Sequence, residues 1–337
     1  MERKRNQKHY GSSLTRLLAG SAFLLLVACS GNNSLPYDNG QPDATSGELV
    51  PVSIEATVEN GGMTRAVTTL TSGNIGVFRT APVSTWCPAQ YNVPYTNNGS
   101  GWQAASADNE IWVGGEDATL HAYYPYNSVT FDATVKTKAT LVVKDYTVNN
   151  DFCYASAPTT VINNKNPKAS FVLKHAYARI TFKVVRDATY SASCKVSKLV
   201  LRPSSGTYFQ TKTIDISEGE VSLADGTTIA QYEWTSESCS WSIKDGISIG
   251  IPDESMDVLL PPQVFVADKM AVTLTIDGVD YSVDVPTGSG SSFAALKAGT
   301  RHRIELMVKG TILSVTGIKS YPWETFIVSG NNDAVMD

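Results

Sequence analysis

Few residues in this sequence have the type and spacing to do chemistry, and their context argues against catalysis. Gly246-Ile247-Ser248-Ile249-Gly250 has the G-x-S-x-G spacing of a nucleophile elbow. That turn needs a helix directly after the serine, and here Ile251-Pro252 follows in a strand-rich stretch. His121, His175 and His302 are scattered through apolar surroundings, where packing is the expected role. No HExxH, Walker loop or G-x-G-x-x-G fingerprint occurs. Four histidines and five cysteines without CxxC spacing offer little to a metal, so no metal and no cofactor is expected. Carboxylates are spread singly along the chain, and nothing positive points to an enzyme.

Cys29 stands apart. It closes the apolar run Leu17–Ala28, which follows the basic stretch Met1–Arg16. Twelve residues at about 1.5 Å each reach ~18 Å, too short for a bilayer core of ~30 Å. Residues 1–28 therefore read as a secretory signal peptide. The stretch Leu26-Val27-Ala28-Cys29-Ser30-Gly31 resembles the bacterial lipobox, whose cysteine is diacylated and becomes N-terminal. Two or more acyl chains on one residue anchor stably where a single chain does not. The expectation is an outer-membrane lipoprotein precursor held by lipid at Cys29. Export also permits disulfides, and Cys87, Cys153, Cys194 and Cys239 are left to form one or two bridges or to stay as buried thiols.

The balance of the whole chain agrees with a secreted globular protein. At 337 residues, 42% hydrophobic and 18% charged, it has material for about two cores and little reason for disorder. The formal charge is −5, and removing residues 1–28 takes five basic residues and Glu2, leaving −9. No basic surplus remains to neutralise phosphates, which argues against nucleic acid as a partner.

The elements that would carry these residues are strands. Residues 29–48 are polar, turn-rich and aperiodic, as a flexible tether would be. Then Val50, Val52, Ile54, Ala56 and Val58 alternate with polar residues, which is the period of a half-buried strand, and Asn60-Gly61-Gly62 ends it. Short β-rich runs follow at Ile75–Phe78, Ile111–Val113, Leu120–Tyr124 and Leu141–Val143. Further on, Ile180, Phe182 and Val184 alternate, as do Ile304, Leu306 and Val308. Asp277-Gly278 between two alternating runs is the strongest hairpin signal in the chain. Ser291–Lys297 is the one helix-like piece, about two turns long. Short strands with turns every 8–12 residues or so predict tandem β-sandwiches, with Asn163–Pro167 as the candidate boundary.

Five segments together resemble the fimbrillin-like family of Bacteroidetes, the type V pilins and their relatives. They are Asn60-Gly61-Gly62-Met63-Thr64-Arg65-Ala66, Leu120-His121-Ala122-Tyr123-Tyr124-Pro125-Tyr126, Phe171–Phe182, Leu259-Leu260-Pro261-Pro262-Gln263 and Ile318-Lys319-Ser320-Tyr321-Pro322-Trp323. The resemblance implies an all-β fold of two tandem transthyretin-like Greek-key sandwiches, over residues 66–166 and 167–337. It implies a lipoprotein cut at the cell surface by a trypsin-like, Arg-specific protease. On this chain the cut would fall after Arg65, leaving Ala66 as the new N-terminus and releasing residues 49–65 as a propeptide strand. A groove opened this way would take a strand from another subunit. The resemblance places that donor in residues 311–328, with Ile312, Leu313, Val315, Ile318, Phe326, Ile327 and Val328 as its apolar residues.

Two readings follow. The first is a structural subunit of a surface fimbria that polymerises by strand exchange, serves adhesion, and has other pilin subunits as partners. The alternative is a surface lipoprotein that does not polymerise, acting as an anchor or binding a glycan or host ligand. For such a ligand Trp86, Trp102 and Trp112 would offer stacking faces, unless they pack in the core or turns.

Overall fold

The computed structural model describes residues 48–59, 67–84, 87–155, 161–203, 209–235, 241–242, 257–265, 269–288, 290–291 and 293–323. Apart from one short 3-10 turn at Ala107–Asn109, the regular structure among these residues is all strand. The alternating pattern after residue 50 forms β1 (Val50–Pro51) and β2 (Ser53–Glu59). β2 belongs to an eight-stranded sheet. In order across that sheet run β3 (Val67–Thr69), β2, β12 (Lys168–His175), β11 (Cys153–Ala155), β8 (Thr119–Tyr124), β4 (Ser72–Ala81), β5 (Gln90–Asn98) and β6 (Trp102–Ala104). β1 leaves this path to pair with β7 (Trp112–Val113).

A five-stranded sheet carries the C-terminal strands. Its order is β10 (Lys144–Asp145), β19 (Val258–Leu260), β13 (Ala178–Arg186), β24 (Thr300–Lys309) and β25 (Ile312–Pro322). Facing it, β17 (Tyr232–Thr235), β14 (Lys195–Pro203), β21 (Lys269–Ile276) and β22 (Val279–Pro286) form a sheet in that order, with β18 (Trp241–Ser242) also on β14. A three-stranded sheet, β16 (Glu220–Ile229), β15 (Phe209–Asp215) and β9 (Lys138–Leu141), and a pair, β20 (Gln263–Val264) with β23 (Ala295–Leu296), complete the set.

The cores follow from the period of two. On β12 every second side chain is buried, among them Ala169, Phe171, Leu173 and His175, and on β24 His302, Ile304, Leu306 and Val308 do the same. One core gathers Val52, Ile54, Ile75, Leu120 and Phe171 with their neighbours; a second gathers Ile180, Leu199, Leu274, Phe293 and Ile304 with theirs. A third, rich in aromatic residues, collects Phe78, Tyr123, Phe152, Tyr177, Leu259 and Trp323. Asp277-Gly278 is the two-residue loop between β21 and β22, both residues at positive φ (47° and 81°), as an Asp-Gly hairpin requires.

The helix expected over Ser291–Lys297 is not formed. Ala295–Leu296 is strand β23, paired with β20, and the residues before it make tight turns closed by Ser291 N–H to Gly288 O (3.0 Å) and Ala294 N–H to Ser291 O (3.1 Å). Glycines at 288, 290 and 299 bracket the segment, and burial of Phe293 and Leu296 is met better by a turn and a short strand than by two isolated helical turns.

Candidate strand-exchange site

Strand β2 is where the sequence expectations and the fold meet. It runs parallel to β12, with Ser53 to Val58 opposite Lys168 to Leu173, and antiparallel to the three-residue β3. Among the described residues it is therefore one strand in from the end of the sheet, and β3 pairs only with it. Val52, Ile54, Ala56 and Val58 all point into the first core, between 0% and 6% exposed. Val50 is half-buried and packs against the same core. The opposite face is polar: Glu55 pairs with Lys168 at 2.7 Å and accepts from Ser170 Oγ at 3.3 Å. Lys168 lowers the Glu55 pKa through that hydrogen bond, but the pair is exposed and contributes little to stability.

The strand is tied in at both ends. Val52 N–H donates to Ile111 O (2.9 Å), Ser53 N–H to Pro167 O (2.8 Å), and Leu70 N–H to Ala56 O (3.0 Å). Fully burying Val52, Ile54 and Val58 stabilises by about 1.5–3 kcal/mol per side chain, roughly 5–9 kcal/mol together. That rivals the ~5–15 kcal/mol net stability of an ordinary domain. Taking this strand away would leave the β12 edge unpaired over six positions above an apolar trough, a surface that another strand can fill.

The C-terminal candidate strand sits elsewhere. β25 pairs antiparallel with β24 along its full length and forms one end of the five-stranded sheet. Ile312 is 63% exposed, Leu313 is buried, and Val315 and Ile318 are half-buried against the second core. Trp323, just beyond β25, is 1% exposed; its N–H donates to Gly299 O at 2.9 Å. So the fold places the two strands in different sheets and does not bring them together within one chain. Cys29, Arg65, Ala66, Phe326, Ile327 and Val328 lie outside the described residues, as do Trp86, Cys239 and the Gly246–Gly250 motif. Arg65 belongs to the segment that joins β2 to β3.

Other expectations resolve as packing. Cys87 and Cys153 are buried free thiols, and Cys194 is fully buried. His121 and His302 are buried and hydrogen-bonded, His121 Nε2 to Thr80 Oγ1 (3.1 Å) and His302 Nδ1 to Ser320 Oγ (2.9 Å). Trp102 packs against the first core. No sequence signal marks a cleft of about 720 Å³ whose walls include Ser128, Phe131, Lys138, Lys144 and Tyr177. There Lys144 donates to Ser128 O (3.1 Å), lies 5.1 Å from the centre of the Tyr177 ring, and is pushed down to about 8 by burial.

The fold has solved counterparts. A proposed cell adhesion protein from Bacteroides uniformis superposes with a TM-score of 0.56 at 19% identity, covering 81% of this chain and 99% of that one. One from Bacteroides ovatus gives 0.57 at 16% identity, covering 83% and 99%. A fimbrial protein from Bacteroides vulgatus gives 0.50 at 15%, covering 80% and 99%. No curated protein matches the sequence. The fimbrillin-like profile matches residues 64–323, most of the chain, and with the all-β architecture around it this settles the family: the chain belongs to the fimbrillin-like proteins, which are structural rather than catalytic.

Proposed function

We propose that this protein is a structural subunit of a cell-surface fimbria, exported as a lipoprotein on Cys29 and assembled by protease-triggered strand exchange. Family membership supports the fimbrial role. The observation that carries the assembly route is the position of β2: buried, parallel to β12, and joined to β3 by the segment holding Arg65. The family match also begins at residue 64, so β2 lies before it. Cutting after Arg65 leaves Ala66 as the N-terminus and lets β1 and β2 depart with the lipid anchor. The vacated trough along β12 then accepts a donor from residues 311–328 of the next subunit. Partners in this scheme are other fimbrial subunits, an Arg-specific trypsin-like protease and, before processing, the outer membrane; the assembled fimbria serves adhesion.

The intact mass of the protein recovered from the cell surface tests this. A chain starting at Ala66, in filaments that survive without the propeptide, is the expected result. A chain that starts at acylated Cys29 in every fraction would overturn the assembly route.

Two observations favour a second reading: β25 is fully paired with β24 inside one chain, and the cleft at Lys144 and Tyr177 has the size of a small-ligand site. On that reading the protein is an anchor or ligand-binding lipoprotein that keeps β2, and Cys29 remains its N-terminus.

A further inference from the structure

Asp151, Cys153 and His175 converge beside the aromatic core. Cys153 opens β11 and His175 closes β12, and the two are direct cross-strand partners. Asp151 lies two residues before Cys153, so its side chain returns to the same face. The His175 Nδ1 atom is 2.9 Å from Asp151 Oδ1 and 3.3 Å from Cys153 Sγ, and that sulfur is 3.9 Å from the same carboxylate oxygen. All three residues are buried.

This is not a nucleophile triad. A triad needs its acid and its nucleophile on opposite ring nitrogens, and here the thiol and the carboxylate meet at one. A thiol, an imidazole nitrogen and a carboxylate oxygen are instead the donor set of zinc sites. Zinc bond lengths of about 2.0–2.3 Å at tetrahedral angles place such ligand atoms roughly 3.3–3.6 Å apart. The three separations straddle that range, so shifts of a few tenths of an ångström would close the shell. The ring that must hold still does so: His175 stacks on Trp323 with centroids 4.2 Å apart and planes 9° from parallel. Asp151 keeps 10% side-chain exposure next to Asn150, a residue of the cleft wall, and an ion would enter from that side.

We propose that Asp151, Cys153 and His175 bind one zinc ion, with a water from the cleft side as fourth ligand. On binding, the Cys153 S–H bond breaks, its proton leaves to solvent, and a Zn–S bond forms; nothing is oxidised or reduced. The ion would clamp the ends of β11 and β12 together beneath Trp323. This site stands independently of how the subunits assemble.

The test uses the full chain, stripped with chelator, loaded with zinc and desalted. About one zinc should remain per chain. Cobalt in its place should give a thiolate-to-cobalt charge-transfer band, and zinc should raise the melting temperature. Cys153→Ser should lose the band and at least tenfold in zinc affinity while keeping its β-sheet circular dichroism. Asp151→Asn serves as the second variant should the serine fail to fold; its expected loss is also at least tenfold. Zinc that does not stay on the wild-type chain, or that stays equally on a folded variant, would overturn the proposal.

Discussion

His175 and Trp323 lie face to face, 4.2 Å between ring centroids and 9° from parallel, although one ends β12 and the other follows β25. The stack joins the eight-stranded sheet to the end of the five-stranded one. Around it, Tyr146 meets Trp323 edge-on at 6.0 Å, and the Arg179 guanidinium lies 3.5 Å from the Tyr146 ring centre. Arg179 is held in turn by Asp257, its Nε donating to Oδ2 at 2.7 Å. Trp323 thus lies within residues 311–328, the segment that the strand-exchange scheme would donate to the next subunit.

Trp323→Ala should cost about 3–5 kcal/mol, the range for emptying a large aromatic site in a core. Trp323→Phe should cost less, because a ring remains to stack on His175. Urea unfolding followed by circular dichroism checks both. Equal, negligible losses would show that the third core does not depend on this side chain.

Gly76 faces Tyr123 so closely that a Cβ there would fall 2.1 Å from the tyrosine Cε1 and 2.7 Å from Asn92 Oδ1. That space lets Tyr123 donate its hydroxyl to Asn92 Oδ1 at 2.7 Å while the ring stays fully buried. Burial, the larger effect, pushes the Tyr123 pKa up to about 12. Gly76→Ala should therefore destabilise by more than 1–3 kcal/mol, the usual overpacking cost, because backbone and ring must both give way. Gly76→Ala combined with Tyr123→Leu should recover part of the loss, read as a double-mutant cycle.

How much of this was legible in the sequence depends on the range of the signal. The 50–58 strand and the Asp277-Gly278 hairpin were readable because alternation and turn chemistry are local. Ser291–Lys297 was misread as helical because burial of Phe293 and Leu296 by distant strands decided its form. The Asp151–Cys153–His175 cluster was invisible for a related reason. Only the β11–β12 register brings His175 to Cys153, and a D-x-C spacing alone is not a metal motif. The parallel pairing of β2 with β12 likewise rests on contacts between segments more than a hundred residues apart.

His302 makes stability sensitive to acid. It lies on β24 opposite Ser320 of β25, bonded to Ser320 Oγ (2.9 Å) and Thr300 Oγ1 (3.1 Å), and burial lowers its pKa to about 4. In the unfolded chain the ring titrates near 6.5. The folded state therefore holds the neutral ring, and its contribution is present above about 6.5 and lost as pH falls through 4. The loss is of order 3 kcal/mol at most. His302→Asn should flatten stability between pH 6.5 and 4 relative to wild type, measured by denaturant midpoints. An unchanged slope would place the acid sensitivity elsewhere.

Substitution at Ala56 tests the strand-exchange scheme directly. It lies opposite Phe171 in the β2–β12 ladder and is 2% exposed. Ala56→Leu pushes three more carbons into a filled site, so the uncut chain should lose about 1–3 kcal/mol. In the strand-exchange scheme β2 leaves on cleavage, so fimbriae built from that variant should be as stable as wild type. Phe171→Ala should behave differently, because β12 stays and lines the trough in both states. Its cost of about 3–5 kcal/mol should appear in the precursor and again as filaments that dissociate more readily in detergent. Filament survival and precursor unfolding, measured side by side for the two variants, give four results with one permitted pattern. If Ala56→Leu weakens the filaments as much as the precursor, β2 is still in place there and the exchange scheme fails.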